Sequence, residues 1–288
     1  MPLTAWNRRC ALLAAAVALV VALLAVVCLR KGPTVQSQEQ VSLPSLADVS
    51  QADWDRLAGA RVWFGHQSVG GNILDGVRDI LGDTPAVHLN IVETDTASGM
   101  EAPALGHARI GANRDPTSKI EAFSRVMDGG LGGKVTIAFF KLCYVDVDEH
   151  TDVGSLFDRY RDAMAALKAR YPGTVFVHVT VPLTAMETGP KTWVKHLLSR
   201  PVGGEDDNVR RHALNERLRK EYAGKEPLFD LAVLEATAPD GRRTLHAKGG
   251  LPFRALLDAY TDDGGHLNGT GRRHVAEQLL IFLARLAR

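Results

Sequence analysis

The sequence predicts an α/β fold in which helices cover both faces of a mostly parallel sheet. From about residue 50 onward, short apolar runs alternate with longer amphipathic ones. This order of strand, helix and strand is typical of crossover connections, which place helices on both faces of a parallel sheet. Beyond residue 28 the chain has one cysteine, Cys143, so this part forms no internal disulfide and depends on its core. About 240 residues are enough to bury such a core.

The beginning of the chain is predicted to anchor it in a membrane. After a short basic start at residues 1–9, residues 10–29 form an uncharged apolar run about long enough to cross a bilayer as one helix. The run is long for a cleaved export signal and has no convincing small-x-small site at its end, so we interpret it as a signal-anchor. Val27 precedes Cys28 where a lipoprotein signal needs a small residue, which argues against lipid attachment. The remainder is expected outside the cytoplasm, in the periplasm or the extracellular space.

The segment after the anchor is predicted to be a linker. Residues 30–49 are largely polar and contain proline without any period, which is typical of a tether. Residues 50–288 then form one domain. The chain has 34 Lys and Arg residues against 33 Asp and Glu residues, so its net charge gives no reason to expect a nucleic-acid partner.

Apolar periodicity predicts the elements of the domain. Strands are expected at 61–66, 87–92, 134–141, 174–182 and 228–234, which makes a five-stranded sheet. Helices are expected at 69–81, 116–128, 154–171, 205–222 and 270–287. The charged residues of the helix at 205–222 are expected to form a solvated face. The long connections at 93–115 and 183–204 are candidates for a rim that faces the substrate.

A serine follows the first predicted strand, in the stretch "VWFGHQSVGGNI" at residues 62–73. In parallel α/β sheets, ligands bind beyond the carboxyl ends of the strands, so Ser68 is in a position for chemistry. A serine between a strand and a helix is also a common helix cap. As a nucleophile, Ser68 needs a base to take its proton and a third group to orient that base.

A second short stretch supplies a base and an acid. "DGGHLN" at residues 263–268 places Asp263 three residues before His266, with two glycines between them that permit a tight turn. The Asp263 carboxylate can then reach Nδ1 of His266, which leaves Nε2 for Ser68. Taken singly, Asp263 is an ordinary turn acid and His266 an ordinary loop histidine. The order Ser, Asp, His favours a catalytic triad.

Other chemistry-bearing residues are weaker candidates. Cys143 is a possible nucleophile, but free cysteines usually behave as small buried hydrophobes. The acidic segment 146–152 could hold a metal, although a solvated loop is the better explanation. The glycine-rich stretch at 128–135 lacks the spacing of a phosphate-binding loop and precedes a strand. We therefore predict neither a metal nor another cofactor.

The two blocks "FGHQSVGGN" and "DGGHLN" resemble those of the SGNH, or GDSL-like, hydrolases. Members of this family place the nucleophilic serine after the first strand and an Asp-x-x-His pair before the last helix. The resemblance implies a flavodoxin-like, three-layer α/β/α sandwich and a triad of Ser68, Asp263 and His266. It covers the whole domain in the order of its elements, while its specific motifs are these two short blocks. A third family block, Gly-x-Asn-Asp, is absent, because the sequence after the third predicted strand reads "FFKLCYVDVDEH".

An oxyanion needs hydrogen-bond donors, and the Ser68 amide at a helix N-terminus is one candidate. The resemblance implies a glycine after the second strand, which fits Gly111, and an asparagine for which Asn113 is the substitute. Lys141 and Tyr144 are further candidate donors, and each of these residues also has an ordinary structural explanation. His66, two residues before Ser68, is a candidate to touch the substrate or to support the site from behind.

The sequence thus predicts a membrane-anchored serine esterase that hydrolyses a carboxylic ester. The family resemblance implies an O-acetyl ester on an envelope or exported polysaccharide, or a small-molecule ester. If a sugar hydroxyl replaces water, the same triad makes an O-acyltransferase. A non-catalytic protein that binds glycan in the same cleft is the alternative from another class, and the missing third block is the feature that favours it.

Overall fold

The computed structural model of the chain describes residues 34–187, 192, 195 and 202–287. The predicted signal-anchor at 10–29 lies outside these residues. In the part of the chain that is described, no helix combines the length and the apolar character needed to cross a membrane.

Strands and helices alternate along the described residues. The strands are β1 (Thr34–Gln40), β2 (Arg61–His66), β3 (Ile91–Glu93), β4 (Ala104–Arg109), β5 (Ile137–Phe140), β6 (Val175–Val179), β7 (Leu228–Phe229), β8 (Arg242–Lys248) and β9 (Leu251–Phe253). The α-helices are α1 (Gln51–Ala58), α2 (Ser68–Asp83), α3 (Pro116–Asp128), α4 (Val153–Arg170), α5 (Glu205–Tyr222), α6 (Leu231–Glu235) and α7 (Gly269–Leu286).

The main sheet is parallel, as predicted, but it has six strands rather than five. Their order is β3-β4-β2-β5-β6-β7. Strand β4 was not predicted because its sequence, "ALGHAR", has no continuous apolar run, although its first four residues are buried. The predicted strand at 87–92 corresponds only to the short edge strand β3.

The predicted strand at 228–234 is also shorter in the structure. It pairs for two residues as β7, and the chain then turns into α6. Asp230 causes this change, because its side chain accepts a hydrogen bond from the Val233 amide and so caps the new helix.

A second, antiparallel sheet has the order β1-β8-β9. Its strand β1 falls within residues 30–49, the predicted linker, and pairs with β8 about 200 residues later in the sequence. Most of β1 is exposed, which explains why its composition is that of a tether. Backbone hydrogen bonds, rather than a buried apolar face, hold this segment to the domain.

Two apolar clusters fill the core, one on each face of the main sheet. Along β2, Val62 and Phe64 belong to the cluster that contains α2 and α7, while Trp63 belongs to the one that contains α3 and α4. This alternation follows the two-residue period of a strand. Strand β2 lies between β4 and β5. After β2 the chain first adds strands on one side of it, β3 and β4, and then crosses to the other side to add β5. The carboxyl end of β2, where Ser68 follows, is therefore the switch point at which parallel sheets bind ligands.

Helices α2 and α7 pack closely at Gly76. A Cβ atom there would lie 2.3 Å from the Arg272 carbonyl oxygen and 2.9 Å from the Ala276 Cβ atom. We expect Gly76→Ala to lower the free energy of unfolding by about 1–3 kcal/mol, because backbone must move to admit the methyl group. Gly82, in the same helix, meets nothing within 4 Å, so Gly82→Ala should stabilise by up to about 1 kcal/mol. Urea denaturation measures the free energy of unfolding of both variants. Equal changes in Gly76→Ala and Gly82→Ala would contradict the close packing at Gly76.

Candidate functional site

Ser68 is the first residue of α2 and is partly exposed. The N-cap position belongs to Gln67, and no side chain accepts a capping hydrogen bond there. Ser68 therefore does not cap the helix through its hydroxyl, which was the alternative explanation for a serine at this place. Its amide is among the first of the helix, which have no acceptor within the helix itself.

Asp263 and His266 are hydrogen-bonded to each other in the loop before α7. Asp263 Oδ2 lies 2.6 Å from Nδ1 of His266, and Asp263 Oδ1 accepts from the backbone amides of Gly265 and His266. These bonds, that of the His266 amide first, lower the pKa of the Asp263 carboxyl far below its ordinary value. Asp263 thus remains a carboxylate that holds the ring with Nδ1 protonated and Nε2 available as a base.

Tyr144 links this loop to the carboxyl edge of the sheet. It follows β5, the neighbour of β2, and its ring meets the His266 ring edge-on at a centroid distance of 5.7 Å. A Cβ atom at position 265 would lie 2.7 Å from the Tyr144 ring, so Gly265 makes room for it. Burial raises the pKa of the Tyr144 phenol, which therefore stays protonated and can donate a hydrogen bond. The loop of Asp263 and His266 accordingly lies at the same edge as Ser68.

Gly111, the glycine that the resemblance implies as an oxyanion donor, lies two residues after the end of β4. Its backbone has φ +60°, and a Cβ atom would lie 2.6 Å from the Lys119 backbone nitrogen. Gln67 Nε2 donates to the carbonyl oxygens of Ile110 and Gly111, at 3.1 and 2.8 Å. The residue before Ser68 therefore fixes the loop that carries Gly111.

Asn113 is held by a buried ion pair. Lys119 Nζ donates to Asn113 Oδ1 at 3.0 Å and to Asp146 Oδ2 at 2.5 Å, and the side chains of Lys119 and Asp146 are fully buried. The bond from Lys119 fixes the amide of Asn113, whose NH2 group has no hydrogen-bond partner among the described residues and can act as a donor. Asp146 also accepts from the amides of Cys143 and Arg114, so it joins the loops after β4 and β5.

His66 lies beneath the site rather than in it. It is 4% exposed, its Nδ1 donates to the Gln67 carbonyl oxygen at 2.9 Å, and its Nε2 accepts from Nδ1 of His107 at 3.1 Å. Both ring nitrogens are thus engaged, which leaves neither for a substrate. A supporting role for His66 stays a prediction. His107 belongs to β4, the strand that was not predicted.

Burial lowers the pKa of His66 to about 4 from its ordinary 6.5. The unfolded chain therefore takes up a proton as the pH falls below about 6.5, whereas the folded chain does not until about 4. We expect up to about 3 kcal/mol of the free energy of unfolding to be lost over this interval, and none above it. Urea denaturation at pH 7 and at pH 4.5 measures this loss. His66→Gln should lose less free energy of unfolding between the two pH values than the unmodified protein does. His88→Gln is the control, because His88 is exposed. If both variants lose as much free energy of unfolding as the unmodified protein, the expectation for His66 is wrong.

Arg211 of α5 is a buried part of the site, not of the solvated face that was predicted for this helix. It is 2% exposed and donates to the carbonyl oxygens of Tyr144 and Val147, to Thr184 Oγ1 and to Asn208 Oδ1. It therefore ties the loop after β5 to the loop after β6. The sequence offered little signal for this role, because a charged residue in a polar helix is usually solvated.

A cleft of about 610 Å³ runs beside these residues. The loops after β4, β5 and β6 and the loop before α7 line it, with Arg114, Tyr144, Thr184 and Asp263 among its residues. Ser68 and His266 are not part of its lining. The Ala185 amide donates to the Gly264 carbonyl oxygen at 2.8 Å, which joins two of its walls. The described part of the predicted rim at 183–204 contributes to this cleft.

Cys143 and Lys141 are buried below the cleft, each 1% exposed. Lys141 Nζ donates to the Leu142 carbonyl oxygen at 3.3 Å and lies 3.6 Å from Cys143 Sγ. Neither residue is placed to meet a substrate. Within the described ranges, no group of three or more His, Cys, Asp or Glu residues is arranged to hold a metal ion.

A comparison with models of known protein families finds no match, and one with curated protein sequences finds none either. Solved structures are similar to the chain. One from Streptococcus pneumonia, described as a platelet activating factor, has a TM-score of 0.46 at 14% identity, over 81% of this chain and 90% of that one. One from Desulfitobacterium hafniense, described as a lipolytic protein of the G-D-S-L family, has a TM-score of 0.43 at 12% identity, over 77% and 99%.

A third structure, from Chitinophaga pinensis and described as a lipase, has a TM-score of 0.39 at 15% identity, over 78% of this chain and 98% of that one. The family named in the description of the second structure is the one that the two sequence blocks resemble.

Proposed function

We propose that the protein is a serine esterase of the SGNH type that acts on a carboxylic ester through Ser68, His266 and Asp263. The observation that carries the proposal is the 2.6 Å hydrogen bond between Asp263 and His266, in a loop at the same sheet edge as Ser68. Acyl transfer needs a base that is already oriented and a serine free to attack, and the partly exposed Ser68 has no capping role at the same edge of the sheet.

In the proposed mechanism, His266 Nε2 removes the proton of Ser68 Oγ as this oxygen attacks the ester carbonyl carbon. The Asp263 carboxylate stabilises the imidazolium that forms. The amides of Ser68 and Gly111 and the NH2 group of Asn113 are the proposed donors to the oxyanion. The carbonyl re-forms as the ester C–O bond breaks, and His266 gives its proton to the departing alcohol. Water, activated by the same histidine, then releases the acid from Ser68.

For the substrate we propose an O-acetyl ester on an envelope or exported polysaccharide, or a small-molecule ester. We also propose that residues 10–29 anchor the chain in the membrane with the domain outside the cytoplasm. The polar lining of the cleft, with Thr184, Asp207 and Arg211 beside Tyr144, favours a hydroxyl-rich ligand. Transfer of the acyl group to a sugar hydroxyl is the second candidate, because it uses the same triad.

Turnover of p-nitrophenyl acetate by the purified full-length chain tests the proposal. Ser68→Ala should abolish it, because the attacking oxygen is removed. Ser155→Ala should not, since Ser155 is an exposed serine in the first turn of α4. A fluorophosphonate should label the unmodified protein and not Ser68→Ala. Equal rates in all three proteins, without labelling, would refute the esterase and favour a non-catalytic glycan-binding protein.

Two further measurements address the finer parts of the proposal. With an acetylated donor and a sugar acceptor, free acetate as the product indicates a hydrolase, whereas an acetylated sugar indicates the transferase. In intact cells, a fluorophosphonate that stays outside the cytoplasm should label Ser68. Labelling that occurs only after lysis would contradict the proposed orientation.

A further inference from the structure

Arg114 differs from the other non-glycine residues around the cleft in the conformation of its backbone. Among the described residues it is the non-glycine residue with a positive φ, at +67°. The left-handed conformation brings the side chain too close to the following carbonyl group, so that L residues other than glycine rarely adopt it. Such outliers persist where the surrounding structure imposes them, and they are enriched at functional sites.

The surrounding structure imposes this conformation through the buried ion pair. Asp146 Oδ1 accepts from the Arg114 amide at 2.8 Å, while Asp146 Oδ2 is bound by Lys119 Nζ at 2.5 Å. Lys119 in turn holds Asn113, the residue before Arg114. A glycine would fit this backbone without strain. The use of an arginine here therefore favours a role for its side chain.

Arg114 lines the cleft and is exposed. Its guanidinium makes no hydrogen bond or ion pair within the part of the chain that the structure describes. Three carboxylates of the lining have a Lys or Arg partner there: Asp146 has Lys119, Glu187 has Lys195 and Asp207 has Arg211. Asp263 is instead hydrogen-bonded to Nδ1 of His266, the proposed base.

Asp148 is the exception among these carboxylates. It accepts from Thr151 Oγ1 and from the His150 amide without a basic partner within the described ranges. It follows β5 and acts on the pKa of Arg211, so it belongs to the α5 side of the cleft. Arg114 is next to Asn113 and three residues after Gly111, and its guanidinium has no ion-pair partner among the described residues. It is therefore a cation without a partner, close in the sequence to the proposed oxyanion donors.

We propose that Arg114 determines specificity by binding an anionic group, a carboxylate or a phosphate, that the ester substrate carries near its reacting carbonyl. The planar guanidinium can donate two parallel hydrogen bonds to either group. The inference rests on the proposed function for the identity of the substrate as an ester. The anion-binding site itself does not depend on turnover.

Binding of benzoate and of phenyl phosphate to the full-length chain, measured by calorimetry, tests the site without catalysis. We expect Arg114→Gln to weaken the binding of at least one of them about tenfold or more, since a charge-assisted hydrogen bond is lost. The comparison of the two ligands tells whether a carboxylate or a phosphate is preferred. Arg125→Gln, which removes an exposed arginine of α3 outside the cleft, is the control and should bind as the unmodified protein does.

A second variant distinguishes loss of the guanidinium from distortion of the loop. Arg114→Gly removes the guanidinium and fits the left-handed backbone without strain, so a loss of binding in this variant does not come from a distorted loop. Equal binding by Arg114→Gln, Arg114→Gly and Arg125→Gln, or no binding of either anion to the unmodified protein, would overturn the proposal.

Kinetic measurements then show whether the anionic group belongs to the alcohol part or the acyl part of the ester. We compare kcat/KM for neutral p-nitrophenyl acetate with that for 4-acetoxybenzoate, whose alcohol part is anionic, and p-nitrophenyl succinate, whose acyl part is anionic. The ratio of one anionic ester to the neutral ester should fall about tenfold in Arg114→Gln and stay constant in Arg125→Gln. An unchanged ratio for both anionic esters would contradict the proposal while leaving the esterase intact. If no ester is hydrolysed in a Ser68-dependent way, the proposed function fails and the binding measurements alone decide on Arg114.

Discussion

Replacing Asp263 with asparagine should lower kcat for p-nitrophenyl acetate by about 10⁴-fold, the order found when the acid of another Ser-His-Asp triad is changed in the same way. Asparagine can keep Oδ1 as the acceptor for the amides of Gly265 and His266, so the turn is preserved. Its NH2 group then takes the place of Oδ2, which now faces Nδ1 of His266. A donor at this place favours the tautomer with the proton on Nε2, which cannot accept the proton of Ser68.

The readout for this variant is the separation of kcat from KM. Loss of the base should lower kcat and leave KM nearly unchanged, whereas a distorted cleft would raise KM. Asp262→Asn is the control in the same loop, since Asp262 accepts only from Asn268 Nδ2 at 3.2 Å. Similar kcat values for Asp262→Asn and Asp263→Asn would contradict the triad.

Replacing Lys119 with methionine should lower the free energy of unfolding by about 3–5 kcal/mol. The methionine fills most of the space of the lysine chain, but it leaves the Asp146 carboxylate buried without its counter-charge. The cost of the variant is therefore mainly the unpaired charge and not a cavity. Urea denaturation measures it directly.

Lys134 provides the matched comparison, because its pair with Glu101 is exposed, at 42% and 67% of the two side chains. Exposed pairs contribute at most about 1 kcal/mol, so Lys134→Met should have a small effect. Equal losses in Lys119→Met and Lys134→Met would mean that the buried pair contributes nothing beyond an ordinary surface contact. The Lys119 variant should also free Asn113, and a fall in kcat beyond the loss of folded protein would show this.

The sequence predicted the five long helices and the central strands from the periodicity of their apolar residues, but it predicted neither of the two short helices, α1 and α6. Helix α3 begins at Pro116 and α7 begins next to its cap, Asn268, both of which are local signals. The parallel α/β sheet followed from the alternation of such segments and is confirmed by the strand order. Strand β4 was missed because its residues Gly106 and His107 are buried by contacts with residues from other segments. Met100 lies against Gly106, and His66 accepts from His107.

The candidate site was predictable where its residues are close together in the sequence. Asp263 and His266 are three residues apart, and their hydrogen bond follows from the turn between them. The support of the site was not predictable, because Lys119, Asp146 and Arg211 come from three different elements. A charged residue carries no sign in the sequence that it will be buried, since burial depends on a partner supplied by a distant segment. The catalytic roles of Ser68, Gly111 and Asn113 remain predictions.

The pairing of β1 with β8 bears on how the domain can be shortened. Strand β8 has seven residues and lies between β1 and β9. A chain that begins after Gln40 would keep the whole main sheet but would leave one side of β8 without hydrogen-bond partners. An open strand edge of this length is a template on which a second molecule can add its own strand. The polar segment that looks like a tether thus also shields the domain from association with its own copies.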